Sequence, residues 1–71
     1  MTSIKISTEF IKLSQFIKFA GITGTGGAAK DIILDGLVQV NGEICLQKGK
    51  KLFVGDTVTV TLEQKEEFII S

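Results

Sequence analysis

"LSQFIKFAGITGTGGAAKDIILDG", residues 13–36, decides the fold. Leu13, Phe16, Ile17 and Ala20 stand at i, i+3, i+4 and i+7, the apolar stripe of an amphipathic helix. Gly21 follows as its stop, in the left-handed backbone conformation that glycine tolerates. Beyond a short break, Ala29, Ile32 and Ile33 repeat the helical spacing, and Gly36 ends the second run. Thr25 suits the N-cap of that second helix, because its hydroxyl can accept from a backbone N–H of the first turn. Two short helices joined by a glycine-rich turn predict a helical hairpin.

The flanks change period and read as sheet. "SIKIS", from Ser3, alternates and predicts a short first strand. In "LVQVNGEICL", from Leu37, Asn41-Gly42 separates Val38 and Val40 from Ile44 and Leu46. An Asn-Gly pair occupies the two left-handed positions of a type I′ turn, so this is a hairpin signal. "KGKKLFVGD", from Lys48, reads as a lysine-rich loop running into a second turn at Gly55-Asp56. "TVTVTL" puts Val58, Val60 and Leu62 on one face and Thr57, Thr59 and Thr61 on the other, a half-buried strand. "EEFIIS" closes the sequence as a last short strand or a frayed end. The whole is an α+β pattern: one domain over residues 1–71, without repeat or linker.

Size and composition narrow the function classes. A 71-residue domain buries only about 60% of the surface its unfolded chain exposes, which leaves little room for a deep cleft. The chain is 44% apolar with no proline, the composition of a globular protein. It shows no secretory signal, no membrane span and a single cysteine, Cys45, so a cytoplasmic location is expected, with no membrane partner. The formal net charge is zero, but it is unevenly spread. Residues 1–62 hold seven lysines against five acids, while Glu63 to Ser71 hold Lys65 against Glu63, Glu66 and Glu67. Every cation is a lysine, which argues against bidentate recognition of phosphates or guanine edges.

Four of the eight glycines fall between Gly21 and Gly27. Gly24-x-Gly26-x-x-Ala29 formally fits a dinucleotide-binding fingerprint, but that motif must follow a strand and open a βαβ unit, and here a helix precedes it. The phosphate-loop lysine motif also fails, since Gly27 and Ala28 stand where Lys and Ser/Thr belong. No cofactor and no small-molecule substrate are therefore expected. Two readings remain. In one, the glycines make a tight turn and let the helices pack closely. In the other, the free N–H groups near Thr25, Gly26 and Gly27 receive a backbone phosphate, aided by the helix dipole and by Lys30 one turn on.

Lys48, Lys50 and Lys51 are either a solvated loop or a track for a phosphate backbone. With Lys12 and Lys30 they offer about three to five phosphate contacts, which predicts weak and steeply salt-dependent binding. Five phenylalanines without Tyr or Trp argue against stacking on single strands. Phe16 lies on the core stripe; Phe10, Phe19 and Phe53 read either as exposed or, the favoured reading, as core or satellite packing. Catalysis has no support. There is no histidine to act as a base near neutral pH, Cys45 reads as a small buried filler, and no metal-ligand spacing is present.

The order "KLSQFIKFAGI", then "TGGAAKDIILDGLVQVNG", then "KGKKLFVGD" resembles the S4-like RNA-binding domain, also called the αL motif, over about Lys12 to Val60. The Thr-Gly-Gly-x-Ala-Lys variant and the KGKKL stretch are similar to the small stand-alone bacterial YaaA/YbcJ-like type. The resemblance implies a two-helix hairpin packed on a small, bent, antiparallel-rich sheet that binds structured RNA. Lys12 stands where the family usually has an arginine, Thr25 where it has a capping serine, and Lys30 at a basic position of the second helix. Gly26 replaces a common arginine, Ser14 an aspartate, and Gln39 a frequent basic residue. The expectation is a non-enzymatic, ribosome-associated module that binds structured RNA, ribosomal RNA or an assembling ribosomal particle first among them. Thr25, Gly26, Gly27 and Lys30 hold a phosphate in this reading, and Lys12, Lys48, Lys50 and Lys51 extend the surface. The alternative is a protein-interaction module on the same fold with no direct RNA contact.

Overall fold

A computed structural model describes residues 1–71. Its elements are, in chain order, β1 (Thr2–Ile4), β2 (Ile11–Lys12), α1 (Leu13–Phe19), α2 (Gly26–Leu34), β3 (Val38–Val40), β4 (Glu43–Ile44), β5 (Lys51–Leu52), β6 (Thr57–Thr61) and β7 (Lys65–Ile70). The helical hairpin forms where the spacing predicts it. Leu13, Phe16 and Ile17 of α1 and Ala29 and Ile33 of α2 are fully buried. Each helix ends on a glycine with positive φ, Gly21 at 78° and Gly36 at 77°, where a side chain is strained.

Five strands form one sheet in the order β1-β7-β6-β3-β4. Its inner face supplies Val38, Val40, Val58, Val60, Phe68 and Ile70 to the same core as the helices. Phe16 meets Phe68 edge-to-face across that boundary, with centroids 5.6 Å apart. The Asn41-Gly42 turn is of the expected kind, with φ of 52° and 86°, and Val40 pairs directly with Glu43 across it. The Asn41 side chain also ties the turn to the next one. Its Nδ2 donates to Asp56 Oδ1 at 3.1 Å, and its Oδ1 accepts from the Thr57 N–H at 2.9 Å.

Four features sharpen or correct the sequence reading. Of the two readings of the last segment the strand holds: β7 lies inside the sheet, antiparallel to β6 and parallel to β1. Its Phe68 and Ile70 are buried, and that burial holds it there. The lysine-rich loop contains a strand, β5, which pairs with β2 in a separate two-stranded ribbon. Ribbon and helix are joined, since Leu52 of β5 is fully buried in the common core. Leu62, expected beside Val58 and Val60, lies past the end of β6 and is exposed. Cys45, expected as buried filler, is half-buried at the core's margin.

Candidate functional site

The first turn of α2 is built to leave donors free. Thr25 is extended, and its Oγ1 accepts from the Ala28 N–H at 3.1 Å. Its carbonyl accepts from Ala29 at 3.2 Å, and from the Thr23 hydroxyl at 3.0 Å. The N–H groups of Gly26 and Gly27 precede any intrahelical acceptor and find none elsewhere in the protein. No acid occupies the first turn of α2. A Cβ added at Gly24, Gly26 or Gly27 would meet nothing within 4 Å. Close helix packing therefore does not account for these glycines, although the turn at Gly21 is tight as expected. Where packing demands nothing, the missing side chains leave open space over two unpartnered N–H groups.

The N-terminus of α1 is closed by a different device. Lys12 at its cap makes no side-chain capping bond. Instead, the Leu13 N–H donates to the Lys50 carbonyl at 2.8 Å and the Ser14 N–H to the Lys48 carbonyl at 3.0 Å. The lysine loop thus docks on the helix through its backbone, satisfying donors that α1 cannot. Its side chains are left for solvent. This docking brings cations at positions 12 and 48 together, although 36 residues separate them in the chain.

The result is a groove of about 450 Å³ without any apolar lining residue. Lys12, Lys30 and Lys48 line it together with Gly26 and Gly27. Ser14, Gln15 and Gly49 complete the wall. These three were not among the expected site residues. Ser14 and Gln15 sit on the α1 face opposite the buried Leu13, Phe16 and Ile17, so a helical projection brings them beside Lys12. Gly49 arrives only through the loop docking, which no local pattern signals.

No carboxylate lines the groove. The one ion pair of the molecule, Lys65 with Glu67 at 3.4 Å, lies elsewhere, so the groove lysines carry no internal counter-ion. Two expected residues point away from it. Lys50 lines a separate depression with residues of the β3–β4 hairpin. Lys51 lies on the outer face of the ribbon, its Nζ 4.7 Å from the centroid of the Phe10 ring. Its register partner across the ribbon is Lys12. Like charges set directly opposite each other oppose pairing. The phenylalanines divide between the two readings: Phe19 is 62% and Phe53 44% exposed, while Phe10 is half-buried and packs on Phe53.

A helical hairpin packed on a mixed sheet, with an all-polar lysine groove at a helix start, defines a small α+β module. The family model for the S4 domain matches residues 4–70, and the chain belongs to that family. It is 44% identical over 57 residues, 80% of each chain, to the probable ribosome maturation protein RlbA of Bacillus subtilis (strain 168). Among solved structures it is similar to Vibrio cholerae Heat Shock Protein 15, described as trimeric. The TM-score is 0.79 and the identity 22%, covering 89% of this chain. The likeness to that protein is one of fold, and this chain spans 64% of its length.

Proposed function

We propose that this protein binds structured RNA without reacting with it, and that the RNA belongs to the ribosome or to a particle in ribosome assembly. Thr25, Gly26, Gly27 and Lys30 receive one backbone phosphate. Lys12 and Lys48 take its neighbours, and Lys50 and Lys51 flank them. The observation that carries this reading is the groove itself: two free N–H groups and three unpaired lysines on one carboxylate-free wall. A phosphate diester supplies acceptors for the former and charge for the latter. The S4 family and the name of the Bacillus relative support the choice of RNA and of the ribosome. A ribosomal partner implies a cytoplasmic location in this reading. The absence of histidine and the unactivated Cys45, whose Sγ–H donates to the Gln47 carbonyl at 3.7 Å, support a binding role over a catalytic one.

Anisotropy titration of a structured ribosomal RNA hairpin at low salt tests this. Lys30→Ala weakens binding across sequences and lowers the slope of log K against log salt by about one. Unchanged affinity in both Lys30→Ala and Lys12→Ala would remove the groove from the function. Recovery of a protein partner that resists nuclease and high salt, with no RNA binding, would replace this reading by the protein-interaction alternative.

A further inference from the structure

The outer face of the β2–β5 ribbon carries, beside its lysines, aromatic side chains that phosphate binding does not use. Its inner side is apolar: Ile11 packs against the core and Leu52 is fully buried. Strand alternation then turns Phe10, Lys12, Lys51 and Phe53 outward together. Phe10 and Phe53 lie with ring centroids 6.0 Å apart at 50°, and Lys51 covers Phe10 as a cation over a π face. Beside them, Phe19 ends α1 with 62% of its surface exposed, a large apolar area for a protein of this size to leave open. Phe10 and Phe19 line one depression of about 530 Å³, with Gln15 and Lys18 at its rim and no carboxylate in its wall. Gln15 also lines the phosphate groove, so the two surfaces are continuous.

An occupant must therefore offer a flat apolar face and negative charge at once. An acidic, apolar peptide meets the second demand but has no reason to extend into an adjoining groove of free N–H groups. A nucleotide whose base has left its helix meets both, with its phosphates leading into the groove. We propose that the Phe10–Phe19 depression stacks one unpaired base of the bound RNA, with Lys18 and Lys51 as its flanking cations. The inference rests on the RNA reading above and adds a subsite to it. Stacking on phenylalanine tolerates any base, so the subsite selects for an extruded nucleotide beside a helix rather than for a sequence.

The protein lacks Trp and Tyr, so a fluorescent base can be read against a dark background. Two RNA hairpins serve, one fully paired and one with a single bulged 2-aminopurine. The bulged hairpin binds about tenfold more tightly, and its fluorescence is quenched on binding. Phe19→Ala, a change at an exposed position, abolishes both the preference and the quenching but leaves the paired hairpin's affinity unchanged. Phe19→Trp restores the preference. Lys30→Ala weakens both hairpins equally, which separates the groove from the subsite. Equal binding of the two hairpins by the natural protein, or a preference retained in Phe19→Ala, overturns the subsite while leaving the groove intact. Failure of both hairpins to bind at low salt overturns both. A change in oligomeric state on Phe19→Ala, measured by sedimentation, assigns the patch to self-association instead and overturns the proposal.

Discussion

At the scale of single residues, Gly26 and Gly27 are the positions where folding and binding pull apart. A glycine inside a helix lowers stability by about 0.5–1 kcal/mol relative to alanine. Nothing in the fold requires that loss here, because an added Cβ meets no atom within 4 Å. Gly27→Ala is accordingly expected to raise the unfolding free energy by up to about 1 kcal/mol, read as a higher urea midpoint. In the proposed mode of binding the same methyl group stands in the path of the phosphate, so RNA affinity is expected to fall in this more stable variant. A gain in stability with full affinity would show that the N–H groups are not used. Asn41 offers the opposite case. Its side chain links the two turns through Asp56 and Thr57, outside the groove. Asn41→Ala loses three side-chain hydrogen bonds, one to Asp56 and two from Thr57, and keeps a positive φ, a loss of about 1–2 kcal/mol. Urea unfolding is expected to show it, with RNA affinity unchanged below the transition.

At the scale of elements, legibility followed the range of the contacts. The helices were readable because the periodicity that marks them is the one that buries Leu13, Phe16, Ile17, Ala29 and Ile33. The Asn-Gly turn was readable because its chemistry is local. The ribbon was not: each of its strands is two residues long, too short to show a period, and Ile11 pairs with Leu52 across most of the chain. For the same reason the separation of Lys50 and Lys51 from the groove was hidden. β7 reads either as a strand or as a frayed end because its first half, Lys65-Glu66-Glu67, is charged, while its place in the sheet is fixed by Phe68 and Ile70 and by the parallel partner β1. Phe68 measures how firmly. It is 6% exposed and packs against Phe16, so Phe68→Ala is expected to lose about 3–5 kcal/mol. That is comparable to the whole stability of a domain this small. A loss under about 1 kcal/mol in urea unfolding would mean that β7 frays independently of the core.

At the scale of the molecule, zero net charge and affinity for a polyanion are reconciled by segregation. The groove gathers Lys12, Lys30 and Lys48 without a carboxylate, whereas Glu63 and Glu66 line a separate depression at the β6–β7 turn. Counter-ion release depends on how many phosphates are neutralised, at about 0.7–0.9 of a logarithmic unit per contact, and not on the protein's total charge. With about three to five contacts, the slope of log K against log salt is expected between about −2 and −4.5. Two substitutions then separate local from global electrostatics. Lys48→Ala lowers the net charge by one and removes a groove contact, so the slope becomes shallower by about one. Glu63→Lys raises the net charge by two but touches no phosphate, so affinity rises slightly at low salt while the slope stays fixed. If the slope instead tracked net charge, moving further with Glu63→Lys than with Lys48→Ala, binding would be a diffuse attraction spread over the whole surface. The groove would then have no special part in it, however well its donors and ammonium groups are arranged.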